Sequence, residues 1–246
     1  MDNAPVVERS VRPGAVLVAA VAGFVIGELL ASALVGTVTS LTHYPGGFAG
    51  LAAARENPWW ASSLSLVGLW VGFVVAIVAA TRVGGLRPWP HQWRFVWSDL
   101  WFVVLGVAAQ VAVGVLYRPF HLRHLNAPVD KLFGAAHGAG FVLLVVLTTI
   151  GAPIVEEWFF RGVVFRGIVA FASPRWPRLA VAIGVVVSAL VFASVHGEAR
   201  QFAGLAGLGV VLAVVAWRTK RLLPNVLTHV SFNAVAMASV IAHRVH

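Results

Sequence analysis

Residues 15–38 read AVLVAAVAGFVIGELLASALVGTV, a continuous apolar run that contains one charged side chain, Glu28. A helix needs about 20 apolar residues to cross the hydrocarbon core of a bilayer, whereas the apolar core of a signal peptide has about 7–15. Because the run is continuous and does not alternate with polar residues, it predicts a membrane-spanning α-helix and not a strand of a β-barrel.

The rest of the chain repeats this pattern, with further apolar runs separated by short loops rich in Pro, Gly and Trp. Trp prefers the membrane interface, and Pro and Gly favour turns, so the loops are predicted at the two membrane surfaces. We therefore predict an all-α, polytopic transmembrane helical bundle that forms a single integral membrane domain over residues 1–246. About eight spans are expected, at residues 15–38, 62–80, 100–116, 134–152, 153–172, 179–195, 201–217 and 222–242.

The composition agrees with a membrane protein, since 59% of the residues are apolar and 11% are charged. Soluble domains have roughly 45–50% and about 25%, so a soluble enzyme and a disordered chain are both excluded. The formal net charge of +9 does not indicate nucleic-acid binding, because the basic residues lie in the gaps between apolar runs, where they attract anionic lipid headgroups. With eight spans, the Lys and Arg residues of the loops and termini divide seven to nine between the two sides of the membrane, which does not decide the orientation.

The absence of cysteine excludes disulfides, thiolate zinc sites and cysteine nucleophiles. The chain also lacks the HExxH pattern of zinc proteases and has no aspartate within a predicted span. No GxSxG sequence supports a nucleophilic serine. Any hydrolytic chemistry is therefore expected to depend on glutamate and histidine.

Charged residues concentrate at 156–161, which read EEWFFR inside a predicted span. Three unpaired charges there would cost on the order of 7–10 kcal/mol. Glu157 and Arg161 are four residues apart and are predicted to pair on one helix face, whereas Glu156 points about 100° away and is left as the reactive carboxylate. In an alternative interpretation, Pro153 begins the helix and both acids merely complement the positive end of its dipole.

Two further predicted spans carry polar groups suited to the same chemistry. Residues 192–196 read FASVH and residues 229–233 read HVSFN. His229 and Asn233 are four residues apart and share a helix face. Glutamate, two histidines and an amide can together activate water, move a proton and stabilise an oxyanion.

These three segments, EExxxR, FxxxH and HxxxN, one on each of three membrane helices, resemble the CAAX-protease and bacteriocin-processing group of intramembrane endopeptidases, which includes prenyl-protein proteases. The resemblance covers about residues 153–233. It implies that Glu156 and His196 activate the attacking water and that His229 and Asn233 bind the oxyanion. It also implies that Glu157 and Arg161 support the site.

The expected function is hydrolysis of a peptide bond in a membrane-associated or lipid-modified peptide or protein, in a multi-pass protein of the bacterial plasma membrane. No cofactor is expected, although zinc held by Glu156, His196 and His229 is an alternative. A membrane transporter or channel would also need buried Glu, His and Arg side chains. A non-catalytic scaffold or immunity protein is a third possibility.

Overall fold

The computed structural model describes residues 11–120 and 127–245. In these residues the chain forms nine α-helices and no strand, which confirms the predicted all-α class. Short 3₁₀ turns at Trp97–Asp99 and Arg118–Phe120 flank α4. The helices are α1 (Pro13–Leu41), α2 (Gly47–Ala53), α3 (Trp59–Arg82), α4 (Leu100–Tyr117), α5 (Ala127–Phe133), α6 (Gly138–Ala172), α7 (Ala180–Val195), α8 (Phe202–Thr219) and α9 (Leu223–Val245).

Six of these helices, within the described residues, are long and apolar enough to cross a membrane, namely α1, α3, α4, α6, α8 and α9. The apolar helix α7 is shorter. The multi-pass membrane architecture is therefore confirmed, and most predicted spans agree with the observed helices to within about one helical turn. The difference from about eight spans lies in α6.

The predicted spans 134–152 and 153–172 are one continuous helix, α6. Pro153 has no amide hydrogen and its ring crowds the preceding turn, so a proline inside a helix usually bends or ends it. Here the turn before it, Leu147–Gly151, widens into a π-helix, and a second π-helical segment occupies Phe160–Phe165. Widened turns of this kind accommodate a local irregularity without ending the helix.

The continuity of α6 overturns the interpretation in which Glu156 and Glu157 complement a helix start. Gly151 and Ala152 before Pro153 have helical backbone angles, so no free helix N-terminus lies near the two acids. They lie in the middle of a long apolar helix, where a charge is costly unless it is paired.

Aromatic rings fix α6 against its neighbours. Phe159 stacks on Phe73 of α3, with ring centroids 4.0 Å apart. Phe160 contacts Phe73 edge-on. It also contacts Phe192 of α7 edge-on, with ring centroids 5.2 Å apart. These rings form the centre of the main hydrophobic core and hold the EEWFFR segment at a fixed rotation.

Glycines bring α1 and α3 into close contact. A Cβ added at Gly72 of α3 would collide with the backbone of Gly23 and Gly27 in α1. Small residues four apart allow two membrane helices to approach until their backbones touch. Gly23 and Gly27, which are four residues apart in α1, therefore pack directly against α3.

The bundle has two ends, which we name the N-terminal end, where α1 begins, and the opposite end. The backbone amide of Arg12 donates to the carbonyl oxygen of Gly84 beyond α3, so α1 begins where α3 ends. Arg9 and Arg123 lie outside the described residues. Of the other Lys and Arg residues, ten lie at or near the N-terminal end: Arg12, Arg82, Arg87, Arg94, Arg166, Arg175, Arg178, Arg218, Lys220 and Arg221. Five lie at the opposite end: Arg55, Arg118, Lys131, Arg200 and Arg244.

Candidate active site

A buried carboxylate, Glu157, links two of the three sequence motifs. Its Oε1 accepts a hydrogen bond from Nη1 of Arg161 at 3.2 Å and another from Nδ1 of His229 at 2.9 Å. A carboxylate only accepts, so the His229 ring must carry its proton on Nδ1. The side chains of Glu157 and Arg161 are 0% exposed and that of His229 is 4% exposed. The Glu157–Arg161 ion pair that the spacing predicts is present.

Arg161 ties this cluster to a third helix. Its Nη2 donates to the backbone carbonyl oxygen of Gly209 in α8 at 3.2 Å. Its guanidinium carbon lies 4.7 Å from the centroid of the Phe192 ring in α7. Burying a guanidinium is costly unless its charge is paired and its N–H groups are bonded. Among the described residues, Nη1 and Nη2 of Arg161 have partners, whereas its Nε does not. One arginine therefore joins α6, α7 and α8.

His196 follows α7 and is exposed. Its Nδ1 lies 2.7 Å from the carbonyl oxygen of Phe192, and since a carbonyl only accepts, Nδ1 carries the proton. The Nε2 of the neutral ring is then free to accept a proton. The Phe192 ring lies between the two histidines, with centroids 4.7 Å from His196 and 5.7 Å from His229.

Asn233 lies one turn beyond His229 on α9 and is half-buried. Its Nδ2 donates to the carbonyl oxygen of Thr148 in α6 at 3.0 Å. One of its two amide protons is therefore committed to the backbone of α6. The second amide proton and the side-chain oxygen are free for other partners.

Glu156 is half-buried and lies beside the buried cluster on α6. Within the described part of the chain, no hydrogen bond or ion pair joins it to His196 or His229. The zinc alternative places Glu156 beside both histidines, but in the structure His229 bonds to Glu157 instead. Glu156 is thus the more exposed carboxylate of the pair.

The residues as arranged do not fit a zinc site. Among the described residues, no three His, Asp or Glu side chains lie close enough together to hold a metal ion. In particular, Glu156, His196 and His229 are not gathered around one point. We therefore derive no catalytic step through a metal.

Two residues outside the predicted site, Thr148 and Gly209, hold Asn233 and Arg161 through their backbone carbonyls. Nothing in the sequence singles out Gly209. A signal for Thr148 does exist, because it lies five residues before Pro153, the spacing of a π-helical hydrogen bond.

The fold and these motifs define a polytopic membrane protein with a buried Glu–Arg–His cluster shared between its helices. Residues 138–235 match the family described as type II CAAX prenyl endopeptidase Rce1-like. The membrane-embedded CAAX protease MroQ of Staphylococcus aureus (strain USA300) is 26% identical over 145 residues, which cover 58% of this chain and 57% of that protein. The alignment thus spans little more than half of the relative. No solved structure matches the chain significantly.

All three motifs fall inside the matched residues 138–235. Through this segment the chain is similar to the CAAX endopeptidases, which supports the resemblance that the motifs indicate. The match gives no support to the transporter or channel alternative.

Proposed function

We propose that this protein is an intramembrane endopeptidase that uses water activated by Glu156 and His196. The observation that carries the proposal is the hydrogen bond between Glu157 and His229, because it joins two family motifs inside the bundle. The Phe192 ring extends this contact to His196 in the third motif. Similarity to a protease family supports the same conclusion.

The six residues of the three motifs that are candidates for the site fall into two groups by their exposure. Glu157, Arg161 and His229 are buried, whereas Glu156 and Asn233 are half-buried and His196 is exposed. A hydrolytic water must reach the base that activates it, so Glu156 and His196 are the members suited to that task. The buried members fix the geometry and the electrostatic field around them.

In the proposed reaction, Glu156 removes a proton from water and the resulting hydroxide oxygen bonds to the carbonyl carbon of the substrate. The carbonyl oxygen becomes an oxyanion, which accepts hydrogen bonds from the free Asn233 amide proton and from His229 when its Nε2 is protonated. The C–N bond then breaks, and the proton held by Glu156 or His196 passes to the leaving amine. No acyl-enzyme forms.

The substrate class follows from the setting of the site. An apolar bundle gives access to peptides that lie in or on the membrane, and the relatives are described as CAAX and prenyl endopeptidases. We therefore propose a membrane-associated or lipid-modified peptide or protein as substrate, and the bacterial plasma membrane as the location.

The test is cleavage of fluorogenic lipidated and unlipidated peptides by the purified full chain in detergent. Glu156→Gln and His196→Asn are the informative variants, because asparagine can keep the hydrogen bond to Phe192 while it removes Nε2. Each is expected to lose about 10²–10⁴-fold in rate, the contribution of a general acid or base. Glu28→Gln, which neutralises a different intramembrane carboxylate, is the control and should remain active.

Cleavage that survives in Glu156→Gln would refute the mechanism. A chelator is included in a parallel reaction. Activity that disappears with chelator and returns with zinc would refute the metal-free form.

A further inference from the structure

A cavity of about 460 Å³ opens at the N-terminal end of the bundle. The loop between α3 and α4 forms one wall, and the chain that links α8 to α9 forms the other. Its basic lining residues are His91, Arg94, Lys220 and Arg221, and no acidic residue lines it. None of these residues belongs to the candidate active site.

Of the three Lys and Arg side chains that line the cavity, one is neutralised by an acid among the described residues. Arg221 forms an ion pair with Asp99 and also donates to the carbonyl oxygen of Arg94, which closes the base of the cavity. Within the described residues, the side chains of Arg94 and Lys220 form no ion pair or hydrogen bond. Two cations therefore remain available to a ligand.

The backbone presents two of the basic side chains in an uncommon conformation. His91 has a φ of 54° and Lys220 a φ of 49°, in the left-handed region that few non-glycine residues occupy. Three described non-glycine residues have positive φ, and two of them line this cavity. Lys220 takes this conformation where it caps the end of α8, which turns the chain into the wall of the cavity.

The tryptophans around the cavity indicate that it lies near the membrane interface. Trp89 forms part of its wall and is held by Arg166, whose guanidinium carbon lies 4.9 Å from the ring centroid. Nearby, Trp97 and Trp101 are 80% and 73% exposed, as expected for indoles among lipid headgroups. The same end of the bundle carries twice as many Lys and Arg residues as the other.

We propose that this cavity binds the phosphate group of an anionic phospholipid headgroup. Arg94 and Lys220 supply the two free positive charges, and a phosphate oxygen is the acceptor that suits them. The acyl chains of such a lipid would lie along the apolar surface of the bundle beside the exposed tryptophans. Inorganic phosphate offers the same chemistry without the acyl chains, and the experiment separates the two sources.

The test is binding to the delipidated full chain in maltoside detergent, followed by native mass spectrometry and thermal unfolding. The probes are short-chain phosphatidylglycerol, phosphatidylcholine of equal chain length, and inorganic phosphate. The double variant Arg94→Gln, Lys220→Gln removes the two free charges. Arg118→Gln, Lys131→Gln removes the same charge from the opposite end and is the matched control.

One Lys or Arg near an anionic headgroup contributes about 5-fold in affinity, so the cavity variant should bind phosphatidylglycerol about 30-fold more weakly. The control variant should keep the affinity of the wild-type protein, as should Lys220→Arg, which preserves the charge. Equal losses in both double variants, or no loss in either, would overturn the proposal. Equal affinity for phosphatidylcholine, or saturation by inorganic phosphate with no gain from acyl chains, would also overturn it.

Discussion

The side-chain amide of Asn233 donates to the carbonyl oxygen of Thr148, and that oxygen has no donor in its own helix. The amide of Ala152 is committed to the carbonyl of Leu147 in the π-helical turn. The next amide position is Pro153, which has no hydrogen to donate. Asn233 therefore supplies the hydrogen bond that proline removes, and this connects α9 to the middle of α6.

We expect Asn233→Ala to destabilise the protein by about 1–2 kcal/mol, because the Thr148 carbonyl loses its donor in an apolar setting. Pro153→Ala restores an amide hydrogen at position 153 and should recover most of this loss in the double variant. Thermal unfolding of the wild-type protein, both single variants and the double variant measures the coupling.

Asn225 provides the control for this cycle. It is buried in the same helix, but its amide donates to the carbonyl of Arg221, two residues before α9 begins. Asn225→Ala and Pro153→Ala should therefore be additive. Additivity of Asn233→Ala and Pro153→Ala would contradict the assigned role of Asn233.

Neutralising the two adjacent glutamates should have very different consequences for stability. Glu157→Gln leaves the Arg161 cation buried without a counter-charge and should cost about 3–5 kcal/mol. Glu156 forms no ion pair within the described residues, so Glu156→Gln should leave the unfolding temperature nearly unchanged while it abolishes cleavage. Unfolding and cleavage are measured on the same preparations.

A second variant separates loss of the ion pair from loss of packing. Replacing both partners, as in Glu157→Gln with Arg161→Met, removes the unpaired charge and should be less destabilising than Glu157→Gln alone. If Glu156→Gln proves the more destabilising of the two glutamate variants, the division into buried and reactive carboxylates is wrong.

The sequence predicts the positions of most helices because a long apolar run has few alternatives in a membrane. It also predicts the Glu157–Arg161 pair, since a spacing of four residues is a local property of a helix. The contact between Glu157 and His229 joins residues 72 positions apart, and the rotation of α9 against α6 decides it. Periodicity alone does not supply that rotation, so the sequence does not predict the carboxylate partner of His229.

The division of α6 into two spans has a different origin. Pro153 is a strong signal for a helix boundary in water, but in a membrane a neighbouring helix can replace the missing hydrogen bond. Asn233 does so here. If α6 is counted as two spans, every loop after it is assigned to the opposite side of the membrane. The Lys and Arg residues then divide seven to nine between the two sides, and the difference in charge between the two ends is not visible.

Packing of α1 against α3 gives a prediction about glycine. A methyl group at position 72 would collide with the backbone of α1, so Gly72→Ala should destabilise the protein by about 1–3 kcal/mol. Gly114 in α4 has no atom within 4 Å of an added Cβ. Gly114→Ala should therefore be neutral or stabilising, by up to about 1 kcal/mol. Equal effects in thermal unfolding would contradict the close approach.

The charge difference between the two ends predicts the orientation. Loops on the cytoplasmic side carry the excess of Lys and Arg, so the N-terminal end should face the cytoplasm. Since the chain has no cysteine, Ser98→Cys at that end and Ala135→Cys at the opposite end each introduce one thiol without changing the charge. Both positions are exposed.

In sealed right-side-out vesicles, a membrane-impermeant maleimide should label Ala135→Cys at once and Ser98→Cys only after permeabilisation. The same orientation places His196, which follows α7 at the opposite end, toward the outer side of the membrane. Substrates should then reach the exposed histidine from that side, and an impermeant peptide added outside the vesicles should be cleaved. Labelling of Ser98→Cys before permeabilisation would reverse the orientation and both expectations, because the two ends are fixed relative to each other by the helices between them.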